Sequence, residues 1–264
     1  NLTVADGDAP GEKSVAVTDN LLARDVVIVF KTEVDHRPKL YVERSGNSTA
    51  LMFSLVPRVA ASVNYHAEFI FIVDRSGSMR GQKIAQTRKA LERVLAALPE
   101  GSLFNIIGFG SDFQPLFPES KSSSDAASLS TAEDYVAAMD ADFGGTEILK
   151  PLRHALHAPP VPGTDRQVLV LTDGQVSNTA ETLRFVRKFH ATARVFSLGI
   201  GDHVSRLLVQ GLARAGRGTA EFVDGTTDQA VFDAVERQME VATAGALDDL
   251  SVTWGTAGAP KEER

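Results

Sequence analysis

Between Phe69 and Met79 the chain passes through five consecutive apolar residues and then directly into Asp74, Ser76, Gly77 and Ser78. A continuous apolar run suits a strand covered on both faces, as in a parallel sheet packed between helices. From His66 onward, short apolar runs alternate with segments of helical period, the pattern of strands joined by crossover helices. Strands are expected at Glu68 to Val73, Leu103 to Phe109, Val168 to Leu171, Val195 to Leu198 and Glu221 to Val223, with an edge strand near Phe113 to Phe117. Ile84, Thr87, Ala90, Leu91, Val94, Leu95 and Leu98 recur at helical spacing, and Pro99 with Gly101 stops that helix. Further helices are expected over Thr131 to Met139, Pro151 to His157, Thr179 to His190, Val204 to Ala215 and Asp228 to Ala242. Pro151 requires the second of these either to begin near Lys150 or to kink.

The flanks read differently. After a polar opening, Asp25 to Lys31, Lys39 to Arg44 and Thr49 to Val56 are β-patterned, and Ser45-Gly46-Asn47-Ser48 makes a hairpin turn between the last two. No helical period interrupts them, so an antiparallel unit is expected, ending near Pro57, Ser62 and Asn64. Toward the other end, Leu250, Val252 and Trp254 alternate with polar residues as in a strand with one buried face. We expect this strand to rejoin the N-terminal unit, so that the parallel domain is inserted in a small antiparallel β-sandwich formed by the N- and C-terminal segments. The expected divisions are 1–63, 64–244 and 245–264. Ser120 to Ser130, with six serines, reads as an exposed loop, and the tail AGAPKEER as disordered.

Composition narrows the function classes. Lys and Arg total 27 against 34 Asp and Glu, a formal charge of -7. No basic run stands out, which argues against a nucleic-acid surface. There is no cysteine, which excludes disulfides, thiolate metal sites and cysteine nucleophiles. No stretch has the apolar length of a membrane span, and the polar start lacks a signal-peptide pattern. The chain begins with Asn rather than Met, as expected of a piece of a longer protein. The compartment stays open, leaning to the cytoplasm, with secretion or the cell surface as alternatives.

Three oxygen-bearing clusters fall at strand ends or helix starts: Asp74 to Ser78, Gly144-Gly145-Thr146-Glu147 and Thr172-Asp173-Gly174. Each alone is an ordinary helix cap or turn. Together, in this strand order, they place the Asp74 and Asp173 carboxylates and three hydroxyls at one edge of a parallel sheet. Such a set suits a hard cation, Mg²⁺ or Mn²⁺ with Ca²⁺ as a further candidate, and suits Zn²⁺ or copper poorly. In an extended D-x-S-x-S loop every second side chain points the same way, so Ser76 and Ser78 can bind directly while Asp74 acts from behind them.

The segments FIFIVDRSGSM, GGTEIL and LVLTDGQVSNT resemble the three loops of a von Willebrand factor type A domain with a complete metal-ion-dependent adhesion site (MIDAS), over roughly Tyr65 to Ala242. The resemblance implies a doubly wound sheet of Rossmann-like type with the site at its switch point. It implies that Asp74, Ser76, Ser78, Thr146 and Asp173 surround Mg²⁺, and that a carboxylate from a partner protein fills the open metal position. The activity implied is adhesion or protein binding. The wording of the loops and the β flanks is most similar to proteins that also carry an inter-alpha-trypsin-inhibitor-type (VIT) domain and to inter-alpha-trypsin inhibitor heavy chains, although no whole VIT domain is recognisable here.

Enzyme readings fit less well. A haloacid-dehalogenase-type phosphatase needs a second acid two residues after its nucleophile, where this chain has Ser76. Neither phosphate-cradling motif is present, Ser78 lacks a G-x-S-x-G elbow, and His154 and His157 lack the H-E-x-x-H pattern. The chain therefore reads as a non-enzymatic, metal-dependent binding module. A scaffold or assembly module whose metal site is vestigial or only stabilises the fold is the alternative, and a magnesium-dependent hydrolase ranks third.

Overall fold

The computed structural model describes residues 2–6, 13–17, 37–56, 66–174, 176, 178–202, 204–223, 227–244, 252–256 and 259–263. Contacts divide the chain into two units, Asn1–Val59 and Ala60–Arg264. In the first, β1 (Leu2–Asp6) pairs antiparallel with β2 (Lys13–Val17), and β3 (Lys39–Ser45) with β4 (Ser48–Ser54). Ser45 pairs with Ser48, and Gly46 takes a positive φ of 57°, so the hairpin turn falls where the Gly-Asn pair predicts it. The expected strand at Asp25 to Lys31 and the boundary residues Pro57, Ser62 and Asn64 lie outside the described residues.

The second unit runs β5 (Ala67–Asp74), α1 (Gln82–Ala96), β6 (Leu103–Phe109), β7 (Phe113–Pro115), β8 (Lys121–Ser122), α2 (Ala126–Ala137), α3 (Leu149–His157), β9 (Asp165–Thr172), α4 (Thr179–Arg187), β10 (Ala193–Ile200), α5 (Arg206–Ala215), β11 (Arg217–Val223), α6 (Asp228–Thr243), β12 (Val252–Thr256) and β13 (Ala259–Glu263). The main sheet has the order β11-β10-β9-β5-β6-β7, with β8 also paired to β6. β5, β6, β9, β10 and β11 are parallel, whereas β7 and β8 run antiparallel to β6. After β5 the chain builds outward through β6, then returns to build outward from the other side of β5 through β9. This reversal makes the gap beyond the carboxyl ends of β5 and β9 the switch point, where such sheets bind ligands.

The apolar run in β5 faces two cores at once. Phe69, Phe71 and Val73 pack into a cluster with α1, α2 and α6, while Ile70 and Ile72 pack into a second with α3, α4 and α5. Alternation on a strand sends neighbours to opposite faces, so a strand buried on both sides has to be apolar throughout. All eight residues of β5 are buried, Asp74 among them. Burying each of these large side chains contributes about 1.5–3 kcal/mol, and that fixes β5 at the sheet centre with its last residue at the switch point.

Two expectations are corrected. The serine-rich stretch from Ser120 to Ser130 is not a loop throughout: β8 occupies Lys121–Ser122, and α2 begins at Ala126, well before Thr131. Asp125 supplies the start, its carboxylate accepting from the Ala127 N–H at 3.2 Å and from the Ser128 hydroxyl at 2.6 Å. The tail is not disordered along its length, because Ala259–Glu263 pairs with β12 in register from Thr256↔Ala259 to Val252↔Glu263 and satisfies the backbone of that edge. Each flanking hairpin thus forms its own two-stranded sheet. α3 begins at Leu149, which leaves Pro151 in the first turn, where its missing N–H has no intrahelical partner to lose.

The Ser128 hydroxyl, more than any other contact, holds the Asp125 carboxyl below its ordinary value of 3.8. A lowered folded-state value gives stability that is present above the ordinary pKa and lost as pH falls through the lowered one. Asp125→Ala is therefore expected to lower the thermal midpoint at pH 7, with the gap closing in strongly acid solution. A gap that persists there would contradict the capping role.

Candidate metal centre

Asp74 is the last residue of β5 and is fully buried. Its Oδ1 accepts from the Ser76 N–H at 2.9 Å, and its Oδ2 accepts from the Thr172 hydroxyl at 2.6 Å. Thr172 closes β9, and its hydroxyl also accepts from the Gly174 N–H at 2.9 Å. One carboxylate thereby turns the loop after β5 and ties it to the loop after β9. Burial pushes the Asp74 carboxyl above its ordinary range, against the hydrogen bonds from Ser76 and Thr172, and the charge of nearby Asp173 acts in the same direction as burial.

In front of Asp74, the Ser76 and Ser78 hydroxyls stand 3.0 Å apart, Ser76 buried and Ser78 half-buried on a 3-10 turn at Gly77–Met79. Both oxygens of Asp74 are engaged by protein donors behind them. Asp173 follows β9 directly and has no solvent exposure, and its Oδ2 lies 2.8 Å from Lys83 Nζ in α1.

Thr146 is positioned by backbone contacts on either side of it. Gly77 N–H donates to Gly144 O at 2.8 Å, and Glu147 N–H donates to Gly110 O at 2.7 Å. Ser111 N–H donates to Phe143 O at 2.7 Å, and the Ser111 hydroxyl accepts from Gly145 N–H at 2.8 Å. A Cβ on Gly110 would lie 2.3 Å from Phe143 O, so only glycine lets these two loops meet. The Thr146 side chain is half-exposed, and among the described residues its hydroxyl makes no hydrogen bond.

All five residues singled out from the sequence therefore sit at one edge of the sheet. Asp74, Ser76 and Ser78 share a bonded cluster with Thr172. Asp173 stands beside them with an ammonium for a partner, and Thr146 is tied in only through its backbone neighbours. Among the described residues no three His, Cys, Asp or Glu side chains cluster as metal ligands, so a cation here depends on hydroxyls as much as on carboxylates. The donors fit a hard divalent ion: all are oxygen, two buried carboxylates are close enough to repel, and a positive group already lies against one of them.

The fold and this switch-point site are those of a doubly wound α/β domain. Residues 67–222 match the von Willebrand factor type A domain family, and the chain belongs to it. Similar proteins include von Willebrand factor A domain-containing protein 5A of Rattus norvegicus, 35% identical over 88% of this chain and 30% of its own length. A von Willebrand factor A domain-containing protein of Dictyostelium discoideum is 34% identical over 90% of this chain and 26% of its own length. The chain thus spans about a quarter to a third of these relatives. Among solved structures, a von Willebrand factor type A protein from Catenulispora acidiphila superposes with a TM-score of 0.61 at 20% identity, covering 80% of this chain and 48% of its own. Proximal thread matrix protein 1 from the mussel byssus, described with a zinc-occupied MIDAS motif, has a TM-score of 0.57 at 17% identity over 70% of this chain and 50% of its own. These two likenesses show the fold.

Lys83 and Arg75 also act at the site without a signal in its three clusters, and Thr172, in the third cluster, holds Asp74 where only a turn was expected of it. Arg75 lies between Asp74 and Ser76, at the first x of D-x-S-x-S. Its guanidinium donates to Asp140 O at 2.9 Å, to the Tyr135 hydroxyl at 3.1 Å and to Asp142 Oδ1 at 2.6 Å, and it lies 4.1 Å from the Phe143 ring centre. Arg75 O accepts from Phe143 N–H at 3.0 Å. The residue therefore anchors the approach to Gly144, and only a planar fork reaches all three acceptors.

Arg75→Met is expected to cost about 2 kcal/mol of stability in urea unfolding, since bonds from a charged donor and a cation–π contact are lost. Arg75→Lys should lose nearly as much. Full recovery by lysine would show that charge alone, without the fork, holds this loop.

Proposed function

We propose that this domain is a non-enzymatic protein-binding module whose grip depends on a divalent cation. Ser76, Ser78, Thr146 and Asp173 would hold the ion directly and Asp74 would act through the serines, with Mg²⁺ or Mn²⁺ as the natural occupant and Ca²⁺ a further candidate. When bound, the ion supplies a Lewis-acidic position that an acidic side chain of another protein can complete. The observation that carries this reading is the burial of Asp74 and Asp173 side by side at the switch point, fronted by the paired serine hydroxyls. Two adjacent buried carboxylates raise one another's energy, and a divalent cation between them relieves that repulsion. Among the described residues no helix is long and apolar enough to cross a membrane. An enzymatic use ranks lower, because position 76, where a haloacid-dehalogenase-type phosphatase needs its second acid, is a serine. We read residues 1–63 and 245–264 as the β-unit that flanks the type A domain, in the manner of VIT-containing relatives.

A second reading, a scaffold whose site is vestigial or only stabilises the fold, draws on one observation. The Lys83 ammonium already balances Asp173 without an ion.

Calorimetric titration separates the two readings. Mg²⁺ or Mn²⁺ added to wild type should bind with one ion per chain, and the Ser76→Ala, Ser78→Ala double variant should give no binding heat. Zn²⁺ run in parallel checks the preference for a hard ion. Equal heats in wild type and variant would overturn the metal reading.

A further inference from the structure

α1 opens with a residue that a helix start disfavours. Its first turn carries Lys83 and no acidic side chain, and a cation there opposes the positive end of the helix dipole. The compensating contact lies outside the helix, in the 2.8 Å approach of Lys83 Nζ to Asp173 Oδ2. Asp173 is wholly buried, whereas the Lys83 side chain keeps 25% of its exposure, so the ammonium reaches inward from a wet stem. The stem crosses Gly201, immediately after β10. A Cβ there would lie 2.7 Å from Lys83 Cε and 3.3 Å from Cδ, and the φ of +106° at Gly201 disfavours a side chain as well. Three elements thus cooperate to deliver one ammonium: the first turn of α1, the bare backbone after β10, and the acid after β9.

We propose that Lys83 is a tethered cation that balances Asp173 in the ion-free domain and must give way when a divalent ion binds, so that it sets how weakly the centre holds that ion. The inference rests on the reading of this site as a divalent-cation centre. An ammonium and a divalent ion at the Asp173 carboxylate compete for one negative charge, and two positive charges a few ångströms apart in a partly buried site repel. Removing the ammonium takes a 2.8 Å ion pair away from a buried carboxylate. The same residue therefore stabilises the ion-free domain and lowers its affinity for the ion. A centre built this way fills and empties with the surrounding ion concentration instead of retaining its ion permanently.

The test is calorimetric titration of Mn²⁺ into the full chain, as wild type, Lys83→Met and Lys83→Gln, with thermal unfolding of each in EDTA and in Mn²⁺. Both neutral variants should bind Mn²⁺ about tenfold more tightly or better. Both should melt below wild type in EDTA and show a larger upward shift with Mn²⁺. If Lys83→Met does not fold in EDTA, Lys83→Gln, whose amide still donates toward Asp173, carries the same comparison. Binding by wild type with equal or weaker binding by both variants would overturn the role of Lys83 and leave the metal reading standing. Silence from all three proteins would overturn the metal reading, and this inference with it.

Discussion

The interaction on which the site depends is the double acceptance made by the Asp74 carboxylate, from the Ser76 N–H on one oxygen and from the Thr172 hydroxyl on the other. It bends the chain sharply out of β5, so that Ser76 and Ser78 come to stand side by side. It also locks the ends of β5 and β9 together across the switch point. Both partners are buried, so the bonds operate without competition from water. Their cost is a carboxylate held where burial disfavours its charge, with Asp173 adjacent.

Cost and purpose are linked through the sheet. The two cores on either face of β5 allow the strand no slippage, since a shift of one residue would exchange Phe71 and Ile72 between packed clusters. Rigid β5 and β9 then present their terminal acids at a fixed spacing, and the surrounding loops are fastened to that frame at Gly77, Gly110 and Ser111. Arg75 extends the fastening to the approach of the second loop, and Lys83 brings an ammonium against Asp173. A preorganised set of oxygens that repel one another is what a cation site requires.

Much of this was legible in the sequence, and the rest was hidden for identifiable reasons. The β5 run announces its burial because a strand covered on both faces has no polar alternation to confuse the reading. Asp74 and Asp173 could be grouped because strand ends in a parallel sheet share an edge, whereas Thr146 joined them through the resemblance to type A domains. The start of α2 was masked by serines, whose composition reads as loop although Asp125 makes them the first turns of a helix. Arg75 and Lys83 were passed over because their roles lie in contacts across 67 and 90 positions of chain. One local clue to Lys83 was available: a basic residue in a helix first turn that lacks any acid.

The central claim is that Asp74 is kept as a buried anion for the sake of a cation and at some expense to the ion-free fold. Thermal unfolding of wild type and Asp74→Asn, each in EDTA and in Mn²⁺, tests it most directly. Wild type should melt higher in Mn²⁺ than in EDTA, whereas Asp74→Asn, which keeps only one of the two acceptors, should melt at the same temperature in both. A variant that rises with Mn²⁺ as much as wild type does would contradict the account.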